Sequence, residues 1–389
     1  MFVKYVGIKI PRYIGYFKNK PYCRLCVKFK AKDELSSSDI VFNEPINYAN
    51  YKLTEEQKLI SNKLLENFIK KKNSLVHAVC GAGKTELCFE IIGFCIKNKL
   101  NVGFAIPRKD VVIELYHRFK NIFKDNSIVP VYGGNTDKLV GELIILTTHQ
   151  LYRYKNYFDL LILDEIDAFP FKNNQVLQSF LRKSIKGNVI LMSATITETQ
   201  KQTYKNNGFE IITLYKRFHN FPIPVPKIIK KMGILKMIYL IKFLKKFEKE
   251  NKPCIVFVPT IDISEKLFWF LRFFFKKINY VNSKIDERNK IICEFKDNKI
   301  NILVSTSVLE RGVTFSNLQV IIYDTYNPIY DVQTLVQISG RVGRKKEFPD
   351  GEVIFLSYKI SRDMLDAINT IKEKNKTTFQ KWKLLQNLF

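Results

Sequence analysis

Two short segments of the sequence carry residue types and spacings that suit phosphate chemistry. The first, residues 78–85, reads AVCGAGKT and has the order of a phosphate-binding loop, with alanine in place of the usual first glycine. Gly81 and Gly83 would let backbone N–H groups turn toward phosphate oxygens. Lys84 could reach the β- and γ-phosphates, and the Thr85 hydroxyl could ligate Mg²⁺. This segment predicts a nucleotide site.

The second segment supplies carboxylates. Residues 160–167 read LLILDEID, an apolar run that ends in acidic residues. Asp164 could hold Mg²⁺ through water and Glu165 could orient or deprotonate an attacking water, which is equipment for cutting the γ-phosphate. Residues 192–195, MSAT, add two small hydroxyls, and Gln57 offers an amide for an adenine edge.

Regularly spaced apolar runs predict the elements that position these residues. Runs rich in Val, Ile and Leu alternate with helix-length segments; the runs are 75–79, 102–106, 143–146, 160–163 and 189–192. This alternation is typical of a buried parallel sheet, whose ligands bind at the carboxyl ends of the strands. We therefore predict an α/β domain over residues 51–215.

The second half repeats this texture after a proline-rich segment. Residues 216–231, KRFHNFPIPVPKIIKK, contain three prolines in five positions and predict a linker. Residues 232–389 predict a second α/β domain, with a helix at 234–248, a helical tail from 361, and strands at 254–258, 302–305, 320–323 and 353–356. Residues 1–50 predict a small basic module that holds Cys23 and Cys26.

Composition limits the possible classes of protein. The chain has 389 residues, is 46% hydrophobic and carries a net charge of +27, so it is globular and attracts polyanions. An AT-biased coding sequence would enrich lysine in the same way, and only 13 of the 64 basic residues are arginine. Charge alone therefore favours a nucleic-acid partner without establishing one, and each arginine is the more informative.

The sequence also predicts where the chain works. Its longest apolar runs, 89–96 and 267–275, are shorter than the 18 or more residues that a membrane span needs. The first residues lack the continuous apolar region of a signal peptide. Seven scattered cysteines, an odd number, do not suit a disulfide framework. We expect a cytoplasmic protein without a membrane span.

The motifs together resemble those of superfamily-2 helicases. Besides the two segments above, residues 305–315, STSVLERGVTF, and 337–344, QISGRVGR, resemble helicase motifs V and VI. The resemblance extends from about Thr54 to Arg344. It implies two tandem RecA-like parallel-sheet domains with ATP bound in the cleft between them, and a short N-terminal module ahead of them.

This resemblance implies roles in motif VI. Arg344 would be the arginine finger, with Arg341 as its companion and Gln337 as the partner of the γ-phosphate or its water. The spacing of three places both arginines on one side of a predicted helix, so both guanidinium groups could face the cleft. Together with Glu165 and Lys84 they form the predicted catalytic set.

Three further groups of residues follow from the same resemblance. The nucleotide would contact Gly81, Ala82, Gly83, Lys84, Thr85, Glu86, Gln57, Asp164 and Gly312, with Thr85 and Asp164 holding Mg²⁺. Nucleic acid would contact Pro107, Arg108, Thr147, Thr148, His149, Pro259, Thr260 and Thr306. Ser193, Ala194 and Thr195 would couple the two activities.

A narrower resemblance is to the ComFA family of competence ATPases. AVCGAGKTE, AIPRKDVV, DEIDAFP, FHNFPIPVPK, LERGVTF and QISGRVGR carry it. It implies a motor on single-stranded DNA that drives transforming DNA into the bacterial cytoplasm. A membrane DNA-uptake channel and small competence proteins would be its partners, with a peripheral location at the inner face of the membrane.

One feature departs from that family, which carries two cysteine pairs that bind zinc. Cys23 and Cys26 form a single pair, and structural zinc needs four ligands, so we do not expect zinc. Three alternatives remain open: a primosomal or repair DNA helicase, an RNA helicase, and a nucleotide-gated scaffold. DEAD-box RNA helicases carry histidine at the position of Gln337 and DEAD in place of DEID, which favours DNA.

Overall fold

The structure is a computed structural model, and it forms two units. It describes residues 14–17, 20–23, 29, 34–36, 40–44, 53–79, 81–167, 171, 174–215, 217, 219, 221–309 and 315–386. Unit 1 comprises Met1–Ala78 and Gly83–Leu214, and unit 2 comprises Val79–Ala82 and Tyr215–Phe389.

A seven-stranded parallel sheet forms the centre of unit 1. Its strands are Asn73–Ala78 (β3), Val102–Ile106 (β4), Ile128–Val131 (β5), Leu143–Thr147 (β6), Phe158–Leu163 (β7), Ile185–Ser193 (β8) and Phe209–Leu214 (β9). Their order across the sheet is β5, β6, β4, β7, β8, β3, β9. Interior strands such as β4 and β6 are buried at every position, which is why they read as continuous apolar runs.

Helices connect these parallel strands. They are Glu55–Ile69 (α1), Phe89–Lys97 (α2), Lys109–Ile122 (α3), Gln175–Ser184 (α4) and Glu198–Asn206 (α5). Thr54 starts α1 with a capping box: its side chain accepts from the Gln57 N–H, and the Gln57 side chain accepts from the Thr54 N–H. This cap sets the position of Gln57.

The described part of the N-terminal region lies on unit 1. Strands Ile14–Phe17 (β1) and Lys20–Cys23 (β2) form an antiparallel hairpin. Leu35 bridges to Tyr154, and the Phe29 ring packs edge-on against Phe180, with centroids 5.0 Å apart. Cys23 ends the hairpin, whereas Cys26 lies outside the described residues.

A six-stranded parallel sheet forms the centre of unit 2. Its strands are Lys227–Lys230 (β10), Cys254–Phe257 (β11), Ile278–Val281 (β12), Ile302–Ser305 (β13), Gln319–Tyr323 (β14) and Val353–Ser357 (β15), in the order β10, β15, β14, β11, β13, β12. The helices are Gly233–Lys249 (α6), Ile261–Arg272 (α7), Arg288–Lys296 (α8), Val332–Ser339 (α9) and Arg362–Gln386 (α10). The expectation of two parallel-sheet α/β domains is confirmed.

The strands that the sequence predicts all occupy interior positions in the two sheets, with a neighbouring strand on each side. In the described residues, the strands that the sequence analysis does not predict are the hairpin and the four sheet edges, β5, β9, β10 and β12. One of these edges, β10, falls within the predicted linker 216–231 and pairs with β15. The later part of that segment is therefore part of the second sheet.

Among the helices in the part of the chain that the structure describes, none is long and apolar enough to cross a bilayer.

Candidate active site

The phosphate loop follows β3 and depends on two glycines. Gly81 and Gly83 have φ values of +81° and +77°, in the left-handed region that favours glycine. A Cβ added to Gly83 would lie 2.5 Å from Nε2 of Gln57. Glycine at this position is therefore required both by the backbone and by the close approach of a side chain.

Gln57 lies beside this loop, as the sequence analysis expects of a nucleotide-contacting amide. Only 5% of the residue is exposed, and its Oε1 accepts from the Thr54 N–H at 2.9 Å. The cap therefore fixes the oxygen end of the amide, and the nitrogen end lies toward Gly83. A short helix cap thus presents an amide group to the loop.

Lys84 and Asp164 form an ion pair at the carboxyl edge of the sheet. The distance between Lys84 Nζ and Asp164 Oδ1 is 3.1 Å, and the two side chains are 15% and 16% exposed. Asp164 follows β7, and its N–H donates to the Ala105 carbonyl on β4 at 3.0 Å. Two motifs 80 residues apart in the sequence therefore meet where a parallel sheet binds its ligands.

Glu165 has a strained backbone. Its φ is +56°, which a residue with a side chain adopts at a cost of about 1–2 kcal/mol. Its N–H donates to Asp164 Oδ1 at 2.8 Å, which helps to hold this conformation. Such strain concentrates at functional sites, because the surrounding structure must maintain it.

Asp167, the last carboxylate of LLILDEID, connects this acidic motif to the hydroxyl groups of MSAT. Ser193 Oγ donates to Asp167 Oδ1 at 2.9 Å, and the Thr195 hydroxyl donates to the other oxygen of Asp167. Ser193 is fully buried, Ala194 is 6% exposed and Thr195 is 8% exposed. The sequence analysis assigns no role to Asp167, although its position in the acidic motif is the signal that could have identified it.

A second contact that the sequence analysis missed lies just after the phosphate loop. Glu86, a predicted nucleotide contact, forms an ion pair with Arg118 on α3. Ala82, also predicted to contact the nucleotide, is 1% exposed. The pair of Glu86 and Arg118 spans 32 positions of the chain, and no local pattern indicates it.

Thr85 and Asp164 suit a hard cation such as Mg²⁺, because hydroxyl and carboxylate oxygens are its preferred ligands. Thr85 precedes the turn Glu86–Cys88 without a side-chain capping bond to it, and Asp164 lies at the carboxyl edge of the sheet. The two residues therefore fit the predicted role. Among the described residues there is no group of three or more His, Cys, Asp or Glu that could hold a metal ion.

The predicted nucleic-acid contacts all lie at or just after the carboxyl ends of strands, but they differ in exposure. Arg108 and His149 are half-buried and Thr260 is exposed. The remaining five are buried: Pro107, Thr147, Thr148, Pro259 and Thr306. The side chains of Arg108, His149 and Thr260 could contact a nucleic-acid strand directly. The five buried residues could only support those contacts.

His149 is also held from the N-terminal region. Its ring stacks on Phe29 with centroids 6.3 Å apart. Burial lowers the pKa of His149 from its ordinary value of 6.5, so the neutral ring is favoured in the folded chain.

The predicted helical arrangement of the motif VI arginines is wrong. α9 ends at Ser339, and the Gly340 N–H closes the helix by donating to the Val336 carbonyl at 2.9 Å. Arg341 and Arg344 follow in a turn in which Gly343 has a φ of +68°. The helix ends before both arginines, so the spacing of three does not place the two side chains on one helical face.

Burial separates the three motif VI side chains. Gln337 on α9 is 3% exposed and Arg341 is 1% exposed, whereas Arg344 is half-buried. Arg344 Nε donates to the Gly340 carbonyl at 3.1 Å. Of the two arginines, Arg344 is therefore the accessible one. Gly312, the predicted motif V contact, lies outside the described residues.

Two residues from the predicted linker hold this turn. Arg217 is 2% exposed, and its guanidinium donates to the carbonyl oxygens of Gly340, Val342 and Gly343 at 2.8–3.0 Å. His219 Nε2 lies 2.9 Å from the Gly343 carbonyl oxygen. The sequence analysis missed both roles, although the scarcity of arginine and the motif FHNFPIPVPK drew attention to this segment.

Two family models match the chain, and each covers most of the strands of one sheet. The first, "Type III restriction enzyme, res subunit", matches residues 50–198, and the second, "Helicase conserved C-terminal domain", matches residues 235–346. A solved structure, Saccharomyces cerevisiae Dbp5 bound to RNA and ADP BeF3, aligns with a TM-score of 0.62 at 16% identity, over 84% of this chain and 93% of that one. Fold and motifs together define an ATPase of the superfamily-2 helicase class, with two RecA-like domains.

Two curated relatives narrow this class. Competence protein ComFA of Bacillus subtilis is 36% identical over 385 residues, which is 94% of this chain and 83% of the relative. Competence protein ComFA of Streptococcus pneumoniae is 34% identical over 335 residues, or 83% of this chain and 77% of the relative. The chain belongs to the ComFA family, as its motifs predict.

Proposed function

We propose that this chain is an ATP-driven motor on single-stranded DNA that works in the uptake of transforming DNA. The observation that carries the proposal is the ion pair of Lys84 with Asp164, 3.1 Å long, beside the strained Glu165. A scaffold that only binds nucleotide has no need for a positioned carboxylate next to the metal ligand. The ComFA relatives are named as competence proteins, which supports the pathway.

The first domain binds the nucleotide in this mechanism. Lys84 binds the β- and γ-phosphates, and Thr85 and Asp164 would hold Mg²⁺. The metal supplies charge neutralisation at the phosphate oxygens when it is bound. Glu165 orients or deprotonates the water that attacks the γ-phosphate. Its strained left-handed backbone supports this role, because such strain concentrates at functional sites.

The second domain completes the charge stabilisation. Arg344 acts as the arginine finger, because one lysine cannot neutralise the charge that spreads over the transferring phosphoryl group. Gln337 contacts the γ-phosphate or its water. Arg341 acts as the companion of Arg344 in the same turn.

Hydrolysis drives movement by removing the phosphate that both domains bind. ATP draws Arg344 toward the nucleotide, and its hydrolysis releases that attraction. Arg108, His149 and Thr260 contact the strand through phosphates and stacking, which does not depend on base sequence. Repeated cycles move the chain along the strand.

The family also suggests where the motor works. We propose that it acts at the cytoplasmic face of the membrane, next to a DNA-uptake channel and with small competence proteins as partners. Cys23 and Cys26 are not required to bind zinc in this role.

Steady-state ATPase activity with three nucleic acids tests the proposal. We expect Mg²⁺-dependent hydrolysis that single-stranded DNA stimulates more than duplex DNA or RNA does. Equal or greater stimulation by RNA would contradict the proposal that the chain is a DNA motor. Stimulation confined to branched or duplex DNA would favour the repair-type alternative, and no turnover with any of the three would favour a scaffold.

A further inference from the structure

The turn that carries Arg344 takes its shape from a side chain outside motif VI. Arg217 Nη1 donates to the carbonyls of Val342 and Gly343 at 2.9 and 2.8 Å, and its Nη2 donates to the Gly340 carbonyl at 3.0 Å. All three carbonyls lie beyond Ser339, the last residue of α9, so the hydrogen bonds of the helix do not satisfy them. Arg217 therefore supplies donors to three backbone acceptors of the turn that follows the helix.

One of these acceptors links Arg217 directly to Arg344. The Gly340 carbonyl oxygen receives Arg217 Nη2 at 3.0 Å and Arg344 Nε at 3.1 Å. A carbonyl oxygen has two lone pairs, so it can accept both bonds. The position of the Arg344 side chain thus depends on an oxygen atom that Arg217 holds in place.

The geometry requires an arginine rather than any cation. A guanidinium group presents its donors in a rigid planar fork, whereas a lysine ammonium is a compact charge on a flexible stem. Three acceptors spread over four residues of backbone match the fork. Arg217 is one of only 13 arginines in the chain, and it is 2% exposed.

His219 gives the same turn a second support. Its Nδ1 accepts from the Phe221 N–H at 3.2 Å, so the opposite nitrogen carries the proton and Nε2 donates to the Gly343 carbonyl at 2.9 Å. The neutral ring with the proton on Nε2 makes both bonds. Gly343, which receives bonds from Arg217 and His219, immediately precedes Arg344.

We propose that Arg217 is a positioning residue for Arg344, with His219 as its second support. This inference rests on the proposed function, in which Arg344 is the arginine finger. Arg217 lies three residues after Leu214, the end of β9 and of the first sheet. Arg217 and the turn that it binds both belong to unit 2.

The substitution Arg217→Lys tests the proposal, since it keeps the charge but not the fork. DNA-stimulated kcat should fall by about 10²-fold, the scale of a catalytic group displaced by about 1 Å. The nucleotide Kd should change less than kcat does, because the proposed arginine finger acts on the transition state rather than on the bound ground state. The control for the chemical change alone is Arg272→Lys, at an exposed arginine of α7 that lies 5.5 Å from the ring of Trp269, and it should keep wild-type kcat.

A double-mutant cycle separates positioning from general support of the fold. In an Arg344→Ala background, Arg217→Lys should cause no further loss of kcat, since the group it positions is already absent. Equal losses in both backgrounds would overturn the proposal. Should the lysine variant fail to fold, His219→Ala removes one bond to the same turn and must show the same dependence on Arg344.

The same experiments distinguish two failures. If Arg344→Ala retains full DNA-stimulated turnover, the arginine-finger mechanism fails and this inference fails with it. If Arg344→Ala loses turnover while Arg217→Lys keeps the wild-type rate, the mechanism stands and the positioning role of Arg217 is wrong.

Discussion

The phosphate loop and the turn of motif VI are held in different ways. Around the phosphate loop, motif side chains bind one another: Lys84 pairs with Asp164, and Asp167 accepts from Ser193. In the turn of motif VI, backbone carbonyls are bound by Arg217, which belongs to no helicase motif quoted above. Several contacts at the first site join motif residues to one another, whereas the contacts at the turn come from a segment 120 or more residues away.

The difference has a physical origin. Parallel strands bring their carboxyl ends to one edge, so motifs that follow neighbouring strands meet without further help. The turn of motif VI follows a helix instead, and its free carbonyls need donors from elsewhere. Substitutions at the phosphate loop should therefore change nucleotide binding directly. Substitutions that affect the turn should instead change catalysis by moving the Arg344 side chain.

The largest contrast is expected between Arg344→Ala and Lys84→Ala. Loss of the finger should slow hydrolysis by roughly 10³-fold or more, while nucleotide affinity falls much less. Loss of Lys84 should weaken binding itself, because in the proposed mechanism Lys84 contacts the phosphates in the ground state as well as in the transition state. DNA-stimulated kcat and nucleotide Kd, measured for both variants, check this contrast. Full turnover in Arg344→Ala would show that the second domain does not complete the site.

A smaller loss is expected for Glu165→Gln. The amide keeps the size of the side chain but cannot act as a base, so turnover should fall by about 10²-fold or more while ATP still binds. Single-turnover hydrolysis together with nucleotide binding by fluorescence measures both quantities. A variant that turns over at nearly the normal rate would mean that another group activates the water.

The phosphate loop also makes a prediction about backbone geometry. Gly83→Ala places a side chain on left-handed backbone, which costs about 1–2 kcal/mol of folding free energy. The added Cβ would also lie 2.5 Å from Nε2 of Gln57. Gly134→Ala is the matched control, since its φ is +89° and nothing lies within 4 Å of the added Cβ. Both variants should lose unfolding free energy in urea, with the larger loss at Gly83. Only Gly83→Ala should weaken nucleotide binding, and equal nucleotide affinities would exclude a role for this close approach.

The smallest effect concerns pH. Burial, followed by the positive charge of Arg217, lowers the pKa of His219 below its ordinary value of 6.5. The unfolded chain then binds more protons than the folded chain below that value, so stability is complete above it and falls as the solution is acidified. His149 in unit 1 contributes in the same direction, because burial lowers its pKa too.

Comparison with His219→Gln isolates the contribution of the motif VI turn. Urea unfolding at several pH values between about 5 and 7.5 covers the range in which histidine titrates. The variant should lose less stability on acidification than the wild-type chain does. Identical slopes would show that protonation of His219 is not linked to folding.

The sequence predicts the interior of each sheet and misses its edges. Runs such as 102–106 and 302–305 are strands with the predicted bounds, because interior strands are covered on both faces and need continuous apolar residues. Edge strands lack that requirement. Ile128–Val131 contains a proline, which an edge strand tolerates, and Lys227–Lys230 has exposed lysines at both ends.

The sequence by itself determined the chemistry of the nucleotide site, because the residue types and their order after buried strands already require a phosphate loop beside a carboxylate. Tertiary structure alone decided how the turn of motif VI is built. A spacing of three suggested a helix face for Arg341 and Arg344, yet the chain leaves the helix at Gly340. Hydrogen bonds from Arg217 to backbone carbonyls stabilise that turn. Because every residue has a backbone carbonyl, the acceptors have no distinguishing residue type. No side-chain pattern in the sequence could therefore indicate which carbonyls the buried arginine would bind.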